Sequence, residues 1–466
     1  MHDTYIIWGR RPVESAPKMA TIEPSSKNTQ AYQDLLNKIQ NHSARVAIIG
    51  MGYVGLPLAV CVAKVGYTVT GIDLSQPRVD MLNQSDSYIA DVSNEELAPL
   101  VENQKIKATT DFSSLADSDI VIICVPTPLT KNRDPDISYI RKAGESIARY
   151  LHPGQLITLE STTYPGTTEE ILLPLLQQNG LTVGEDFFIA HSPERVDPGN
   201  ARYTTHNTNK VVGGYTPACQ EIASAFYRKT ILDVISVSSP GCAEMVKVFE
   251  NTFRAVNIAL VNELALLCDK MNLNVWEVIE AASTKPFGML TFWPGPGVGG
   301  HCIPIDPFYL TWKAREYNFH TRFIELAGEI NNHMPMFVRE KMSRALGRLG
   351  KPLYGSKILI LGMAYKKDLG DWRQSPALDL FNLLLSDEVH LSYCDPYVPQ
   401  IEDARGNKHE ALPLTPETLA NADCVVILTN HSDFNYDFIV EHSPIVVDTR
   451  NACAQVLDQR EKIILL

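Results

Sequence analysis

Short continuous apolar runs recur in the first half of the chain, and segments with the spacing of amphipathic helices separate them. Such a run is typical of a strand that is buried on both faces of a parallel sheet. Strands and helices that alternate in this way predict a doubly wound α/β fold. The predicted strands are Arg45–Gly50, Tyr67–Asp73, Ile120–Val125 and Leu156–Glu160.

A second series of apolar runs follows near the C-terminus. Its first run again ends in Gly and its second in Asp, and an Ala-Asp pair precedes its third run as it does in the first series. The pattern therefore predicts two Rossmann-like domains of related design. The strands of the second series are Lys357–Gly362, Val389–Asp395, Cys424–Thr429 and Ile445–Asp448.

The longest helical pattern lies between the two series, from Cys242 to Asn272, and it contains neither Pro nor Gly. At about 1.5 Å per residue this predicts a helix of roughly 45 Å, longer than one domain needs. Aliphatic residues occur on more than one of its faces. We therefore expect a central helix that joins the two domains and packs against a second subunit in a homodimer or a higher homo-oligomer.

Charge and cysteine usage narrow the classes of function. Acidic residues outnumber basic ones by 54 to 41, for a net charge of −13, which disfavours a nucleic-acid partner. Nine cysteines without a CxxC pair argue against a disulfide framework and a metal site, and they fit a reducing compartment. No apolar run approaches the roughly 20 residues that span a bilayer, and the first residues lack the order of a secretory signal. We expect a cytoplasmic protein without a membrane partner.

A glycine-rich turn follows the first predicted strand. Its residues 50–55 read Gly-Met-Gly-Tyr-Val-Gly and open a predicted helix. Gly50 permits the turn, Gly52 allows a pyrophosphate to approach the backbone, and Gly55 allows close packing of helix on strand. Asp73, at the end of the second strand, is placed to bind both ribose hydroxyls. The turn therefore predicts a dinucleotide site that favours NAD over NADP, although Arg78 nearby could accommodate a 2′-phosphate.

One cysteine lies in an unusual setting. Cys302 follows a loop with four glycines and two prolines, residues 294–300, and an acid follows four positions later. Such a loop has a fixed shape that lets a ligand approach the backbone. The local sequence leaves two interpretations open, a nucleophilic thiol and a buried structural one.

Taken together, these motifs resemble the UDP-glucose/UDP-mannuronate dehydrogenase family of nucleotide-sugar 6-dehydrogenases. The similarity runs in one order from about residue 45 to residue 450, and within the family residues 283–316 look most like the UDP-N-acetylglucosamine 6-dehydrogenase branch. The matching segments are Val46–Ala59, Cys124–Pro128, Glu160–Thr168, His191–Asn200, Lys247–Ala265, Pro294–Pro307 and Gly362–Ala377.

The resemblance implies a four-electron oxidation of a C6 alcohol to a carboxylate with two NAD+, through a thiohemiacetal and a thioester on Cys302. It implies that Lys247 and Asn251 stabilise the developing oxyanion, and their spacing of four residues places them on one helix face. Asp306 matches an acid that positions water, and Glu194 matches a glutamate that transfers a proton during thioester hydrolysis. Thr163 matches a threonine that holds an active-site water.

The resemblance also implies the binding residues. Arg195 and Val196 stand where the family usually has phenylalanine and leucine, near the sugar. We hypothesise that this change relates to the 2-acetamido group. The implied cofactor-binding residues are Gly50, Gly52, Tyr53, Val54, Gly55, Asp73, Arg78, Thr127, Thr163 and Arg373. The implied substrate-binding residues are Arg195, Val196, Lys247, Asn251, Gly299, Tyr365, Lys366 and Arg450.

The expected function is the oxidation of UDP-N-acetylglucosamine at C6 to the uronate, which would supply surface polysaccharide biosynthesis. The alternatives are oxidation of UDP-N-acetylmannosamine or UDP-glucose, a two-electron dehydrogenase of similar architecture, and a nucleotide-sugar-binding regulator without activity. The predicted segments are an extension outside the core (1–43, with a short helix at 31–40), an NAD-binding Rossmann domain (44–238), a central helical and dimerisation domain with the cysteine loop (239–345), and a UDP-sugar-binding Rossmann-like domain (346–466).

Overall fold

The computed structural model describes residues 29–466 apart from 90, 131, 133, 198, 199, 201 and 301. The described residues form two compact units, which we call the N-terminal unit and the C-terminal unit. Of the described residues, the N-terminal unit comprises 29–250 together with 308–319. The C-terminal unit comprises residues 251–307 together with 320–466.

The strands of the described residues are short. Those predicted from apolar runs lie within two residues of the predicted bounds, because burial on both faces excludes polar residues from them. The strands are β1 (Arg45–Ile49), β2 (Thr68–Ile72), β3 (Ile106–Thr109), β4 (Ile120–Ile123), β5 (Gln155–Leu159), β6 (Phe187–His191), β7 (Lys210–Gly214), β8 (Val234–Val237), β9 (Lys357–Leu361), β10 (His390–Cys394), β11 (Gln400–Glu402), β12 (Lys408–Glu410), β13 (Cys424–Ile427), β14 (Val446–Asp448) and β15 (Ile463–Leu465). The central ones of the two large sheets, β4, β5, β6, β13 and β14, are buried along their whole length, as is β7.

The helices alternate with the strands, as a doubly wound fold requires. They are α1 (Gln30–Gln40), α2 (Gly55–Lys64), α3 (Gln76–Asn83), α4 (Asn94–Glu102), α5 (Ser138–Tyr150), α6 (Leu173–Leu176), α7 (Pro217–Thr230), α8 (Pro240–Met271), α9 (Val275–Ser283), α10 (Asp306–Ala314), α11 (Arg322–Arg348), α12 (Pro376–Leu385), α13 (Pro416–Ala420) and α14 (Tyr436–His442).

The sheet of the N-terminal unit has the order β3-β2-β1-β4-β5-β6-β7-β8. Its strands from β3 to β6 are parallel, whereas β7 pairs antiparallel with β6 and β8 pairs parallel with β7. The predicted Rossmann arrangement is confirmed for strands β3 to β6, and β7 and β8 extend the sheet beyond the antiparallel pair of β6 and β7. The order reverses between β1 and β4, and ligands of open α/β sheets bind at the carboxyl ends of strands beside such a switch point.

The expectation that residues 1–43 lie outside the core is wrong for α1, while residues 1–28 lie outside the described part of the chain. The predicted short helix is present, but its apolar face is buried. Tyr32, Leu35 and Ile39 are each 3% exposed or less and belong to the main hydrophobic cluster of the N-terminal unit. The i, i+3, i+7 spacing of these residues gives α1 one apolar face, which packs against α7.

The sheet of the C-terminal unit has the order β10-β9-β13-β14-β15, and all its strands are parallel. A separate antiparallel hairpin is formed by β11 and β12. The second Rossmann-like arrangement predicted from the sequence is therefore confirmed.

The long central helix is also confirmed. Helix α8 contains 32 residues, which corresponds to about 48 Å, and the boundary between the two units falls inside it, after Glu250. Among the described residues, no helix is both long enough and apolar enough to cross a membrane.

Candidate active site

The turn after β1 has the geometry that the glycine pattern predicted. Gly50 has a φ of +93°, and a Cβ there would lie 2.4 Å from the carbonyl oxygen of Cys124. At Gly55, the first residue of α2, a Cβ would lie 1.9 Å from the carbonyl oxygen of Gly50. A Cβ at Gly52, by contrast, would meet no atom beyond its chain neighbours within 4 Å. Two of the glycines are thus required by the fold, and the third leaves open space over the turn.

The groups around this turn fit a dinucleotide. Val54 precedes α2 without a side-chain cap, so the first N–H groups of the helix are not satisfied by a capping side chain. Asp73 follows β2 and accepts hydrogen bonds from the backbone N–H groups of Met51 (2.9 Å) and Ser75 (2.9 Å). Arg78 Nη1 lies 3.7 Å from Asp73 Oδ2. The open space at Gly52, the helix terminus without a capping side chain and the carboxylate match a pyrophosphate and a ribose.

The same unit brings the segment after β6 next to this turn. Tyr53 and Val54 line one recess together with Glu194, Arg195 and Val196. Two further charged residues line this recess, Glu160 at the end of β5 and Lys210 at the start of β7.

The pair of Glu160 and Lys210 was not predicted from the sequence. Lys210 Nζ lies 2.5 Å from Glu160 Oε2, and Tyr227 donates its hydroxyl proton to the other oxygen of Glu160 at 2.6 Å. All three side chains are buried. The position of Glu160 directly after a buried strand was a usable signal, because such positions lie at the edge where ligands bind, but nothing in the sequence pointed to Lys210.

Two threonines that the resemblance assigned to this region have structural partners. Thr163 is 2% exposed and shares a hydrogen bond of 2.7 Å with the hydroxyl of Thr167. Its neighbour Thr162 is the partly exposed threonine of this segment. Thr127 is half-buried, and its carbonyl oxygen accepts a hydrogen bond from the hydroxyl of Tyr309.

Helix α8 is joined to the segment after β6 by two ion pairs within the N-terminal unit. Lys247 Nζ lies 3.4 Å from Glu194 Oε2, and the side chain of Lys247 is only 8% exposed. The other oxygen of Glu194 accepts a hydrogen bond from the backbone N–H of Val196. Arg195 pairs with Glu250, one turn further along α8. The structure thus brings the predicted residues Lys247 and Glu194 together.

A buried carboxyl one turn before Lys247 anchors the same helix. Glu244 accepts hydrogen bonds from the backbone N–H of Gly166 (2.5 Å) and from both the N–H (2.8 Å) and the hydroxyl (2.7 Å) of Thr168. Burial raises its pKa to about 7, against the effect of these donors. His191 Nδ1 lies 3.9 Å from Glu244 Oε1, and burial lowers the pKa of His191 to about 3, so this imidazole is neutral at pH 7.

In the C-terminal unit, Cys302 lies in the loop that leads into α10. Of the nine cysteines, all of which are described, it alone is exposed. Its carbonyl oxygen accepts a hydrogen bond of 2.8 Å from the backbone N–H of Asp306, the first residue of α10. The carboxylate of Asp306 is buried and accepts a hydrogen bond of 2.5 Å from the side-chain amide of Asn251 on α8. The predicted residues Cys302, Asp306 and Asn251 are therefore brought together in this unit.

The predicted phosphate-binding residues also lie in the C-terminal unit. Arg450 donates from Nε to the carbonyl oxygen of Leu428 at 2.9 Å, and a Cβ at Gly295 would lie 2.7 Å from its Nη1. Burial lowers the pKa of Arg450 to about 10, so this guanidinium keeps its charge at pH 7. At Gly299, a Cβ would approach the side chain of Tyr365 to 2.9 Å, which explains the glycine there.

The remaining two predicted residues follow Tyr365 in the same loop region. Lys366 is half-buried. Arg373, which the resemblance assigned to the cofactor, holds Asp371 through two hydrogen bonds of 2.9 and 2.8 Å.

Three profiles of one protein family match the chain in order. They are the NAD binding domain (residues 44–231), the central domain (242–333) and the UDP binding domain (359–455) of the UDP-glucose/GDP-mannose dehydrogenase family. The first profile contains the turn at residues 50–55, and the second contains Lys247 and Cys302.

Individual proteins match over nearly their whole length. UDP-N-acetyl-D-mannosamine dehydrogenase of Pyrococcus horikoshii is 37% identical over 87% of this chain and 95% of its own. UDP-N-acetyl-D-glucosamine 6-dehydrogenase of Pseudomonas aeruginosa is 35% identical over 84% and 91%. A solved structure of UDP-D-ManNAc dehydrogenase from Pyrococcus horikoshii matches with a TM-score of 0.81 at 33% identity, over 90% of this chain and 98% of that one. The chain therefore belongs to the UDP-glucose/GDP-mannose dehydrogenase family and is an NAD-dependent dehydrogenase of nucleotide sugars.

Proposed function

We propose that this protein oxidises the C6 alcohol of UDP-N-acetylglucosamine to the carboxylate, through a thioester on Cys302, and so supplies a precursor of surface polysaccharide. The observation that carries the proposal is that Cys302, the exposed cysteine of the chain, accepts through its carbonyl oxygen from the backbone N–H of Asp306, whose buried carboxylate pairs with Asn251. Overall, one sugar and one water give one uronate with two NADH and three protons. The resemblance of residues 283–316 to the N-acetylglucosamine branch favours this substrate over its 2-epimer.

The residues of the chain have distinct tasks in this scheme. NAD+ bound over the turn at residues 50–55 supplies the hydride acceptor for both oxidations. The sulfur of Cys302 bonds to the aldehyde carbon, which retains the intermediate until it is a thioester. Lys247 and Asn251 donate to the oxygen on that carbon when it carries negative charge. Water then adds to the thioester carbon, the carbon–sulfur bond breaks, and the thiol is restored.

The polar groups of the C-terminal unit supply the diphosphate site. Arg450 is held by a backbone carbonyl and keeps its charge, and Lys366 adds a second cation. Charge-assisted hydrogen bonds from such residues are what a diphosphate needs in a protein with a net charge of −13. The family's UDP binding domain covers both residues, which supports this assignment.

We also propose a homodimer that forms through α8. Leu260, Leu267 and Met271 lie on one face of this helix, at intervals of seven and four residues, and each is more than half exposed. Apolar side chains arranged in this way along a helix are typical of a helix–helix interface. Leu260→Glu should give a monomer in light scattering coupled to size-exclusion chromatography, and an unchanged mass would contradict this interface.

The experiment for the activity measures NADH produced from UDP-N-acetylglucosamine, UDP-N-acetylmannosamine and UDP-glucose by the purified protein. We expect two NADH per sugar, with the highest kcat/KM for UDP-N-acetylglucosamine. Cys302→Ser should lower the rate of complete oxidation to the uronate by about 1,000-fold or more, since the nucleophile is removed. A higher kcat/KM for UDP-N-acetylmannosamine would overturn the substrate but leave the chemistry. One NADH per sugar, or none, would overturn the thioester route.

A further inference from the structure

Two ion pairs connect the segment after β6 to helix α8, and the signs of their charges are reversed. In one the segment supplies the acid, and in the other it supplies the base. Glu194 and Arg195 are adjacent in the chain, and their partners Lys247 and Glu250 are three residues apart on one face of the helix. The negative residue of the segment thus meets the positive residue of the helix, and the next positive residue meets the next negative one. The Lys247–Glu194 pair has predicted catalytic roles, whereas nothing so far explains Glu250.

The Arg195–Glu250 pair has the geometry of a fixed connection. Arg195 Nε donates to Glu250 Oε2 at 3.2 Å, and Nη2 donates to the other carboxylate oxygen. A bidentate pair of this kind fixes the plane of the guanidinium. Arg195 Nη1 also donates to the carbonyl oxygen of Asn209 at 2.7 Å. Three donors of Arg195 are thus used within the protein, and they connect α8, the segment after β6 and the residue before β7.

Glu194, by contrast, is loosely held. Its distance of 3.4 Å to Lys247 is long for a charge-assisted hydrogen bond, and its other anchor is the backbone N–H of Val196, within its own segment. The position of this carboxylate relative to Lys247 therefore depends on where the backbone of residues 194–196 lies. Arg195 fixes that backbone to α8, the helix that also carries Lys247.

We infer that Arg195 and Glu250 are positioning residues, and that their pair holds the Glu194 carboxylate where it takes a proton from the water that attacks the thioester. In that step the water oxygen bonds to the thioester carbon and one water proton passes to Glu194. The carbon–sulfur bond then breaks, Glu194 returns the proton to the sulfur of Cys302, and the sugar leaves as the carboxylic acid. The inference rests on the proposed function and replaces the expectation that Arg195 reads the 2-acetamido group.

The test compares Arg195→Met and Glu250→Gln with Glu194→Gln. Arg195→Met and Glu250→Gln should slow hydrolysis by about 10- to 100-fold, the cost of a misplaced catalytic group. Glu194→Gln removes the proton acceptor and should slow it by about 100-fold or more. All three variants should leave the KM for the UDP-sugar within about twofold, and the covalent adduct on Cys302 should accumulate in intact-protein mass spectra of acid-quenched reactions. The combined reversal Arg195→Glu with Glu250→Arg should recover activity relative to either reversal alone.

Arg339→Met provides the matched control. Arg339 makes a similar bidentate pair with Asp387 in the C-terminal unit, at two distances of 2.6 Å and with similar exposure. This variant should lose some thermal stability without accumulating the adduct.

Several outcomes overturn the inference. It is wrong if Arg195→Met raises KM while Glu250→Gln has no effect, because Arg195 then contacts the sugar. It is also wrong if Glu194→Gln accumulates the adduct and the other two variants do not. If neither the wild-type protein nor Glu194→Gln ever forms an adduct on Cys302, the thioester route of the proposed function fails instead.

Discussion

The two Rossmann-like units start in the same way and then diverge. In both, a glycine with positive φ directly follows the first strand, Gly50 at +93° and Gly362 at +85°, and a Cβ there would lie about 2.5 Å from a neighbouring carbonyl oxygen. In both, the next residue donates its N–H to the acid that follows the second strand. These hydrogen bonds run from Met51 to Asp73 and from Met363 to Asp395.

The divergence begins two residues after the glycine. Gly52 faces open space, whereas its counterpart Ala364 is fully buried. Helix α2 starts at Gly55, directly after the turn, whereas α12 starts only at Pro376. Among the described residues of the C-terminal unit, no helix begins at this turn, and a loop with two lysines, Lys366 and Lys367, follows the glycine instead.

The acids that follow the second strands, Asp73 and Asp395, differ in their exposure and in the number of their hydrogen-bond partners. The side chain of Asp73 remains 9% exposed, whereas that of Asp395 is inaccessible. Asp395 accepts from the backbone N–H groups of residues 363, 364, 397 and 398, and it also pairs with the buried His431 at 3.1 Å. The side chain of Asp73 thus keeps a small exposed surface, whereas that of Asp395 is enclosed by its partners within the protein. We therefore expect equivalent positions of the two units to differ in role, with Asp73 binding a ribose and Asp395 stabilising its own turn.

The largest expected effect is a difference in the free energy of unfolding between variants of these two acids. Asp395→Ala leaves several buried donors without an acceptor, so it should lower the free energy of unfolding by about 3 to 5 kcal/mol. Asp73→Ala should lower it by less than about 2 kcal/mol and weaken NADH binding. Urea unfolding and NADH fluorescence titration measure the two quantities. Equal destabilisation by both variants would break the comparison.

The second effect concerns the open space over the first turn. Gly52→Val should weaken NADH binding by about 100-fold, because the side chain occupies the place of the pyrophosphate, while the melting temperature stays within a few degrees. Ala364→Gly, the matched change in the C-terminal unit, should leave NADH binding unaltered. A stable Gly52→Val protein with normal NADH affinity would show that the cofactor does not use this turn.

A smaller effect is expected on the binding of UDP, from the two lysines in the loop after Gly362. Lys366→Met should weaken the binding of UDP by about 10-fold, the size expected for one charge-assisted contact, and leave NADH binding unchanged. Lys367→Met is the control, because Lys367 is exposed whereas Lys366 is half-buried. Calorimetric titration with UDP measures both. Equal losses for the two lysines would indicate a general effect of charge rather than a specific contact.

The smallest effect is an opposite response of the units to pH. Because burial raises the pKa of Glu244 to about 7, its contribution to stability is complete below its ordinary pKa near 4.5 and is lost as the pH rises through 7. Burial acts to raise the pKa of Asp395 too, but the hydrogen bond and charge of His431 and the backbone donors lower it. Its contribution is therefore complete above its ordinary pKa near 3.8 and is lost as the pH falls below that value.

Glu244→Gln tests this difference. The variant should remove a decline of stability between pH 6 and 7 of at most about 1.4 kcal/mol per pH unit. Glu263→Gln, an exposed change on the same helix, should keep the decline. Amide hydrogen exchange at the two pH values measures the response of each unit separately. A decline that persists in Glu244→Gln would assign it to another group.

The sequence predicted what is local and missed what is distant. The turn at residues 50–55 and the acid Asp73 were predictable, because a strand, a tight turn and a helix follow each other directly and each leaves a pattern. The pair of Arg195 and Glu250 was not, since 55 residues separate the partners and neither lies in a periodic pattern. The burial of α1 was missed for the same reason, because an amphipathic helix shows which face is apolar but not which surface will cover it.

The way the chain alternates between its two units has a consequence for evolution. It leaves the N-terminal unit inside α8, returns inside α10, and leaves again after residue 319. A single crossover between related genes cannot exchange one unit as a whole, since any breakpoint leaves part of a unit with the wrong parent. A chimaera that combines the sugar-nucleotide preference of one relative with the dinucleotide preference of another therefore needs three junctions, two of them within helices.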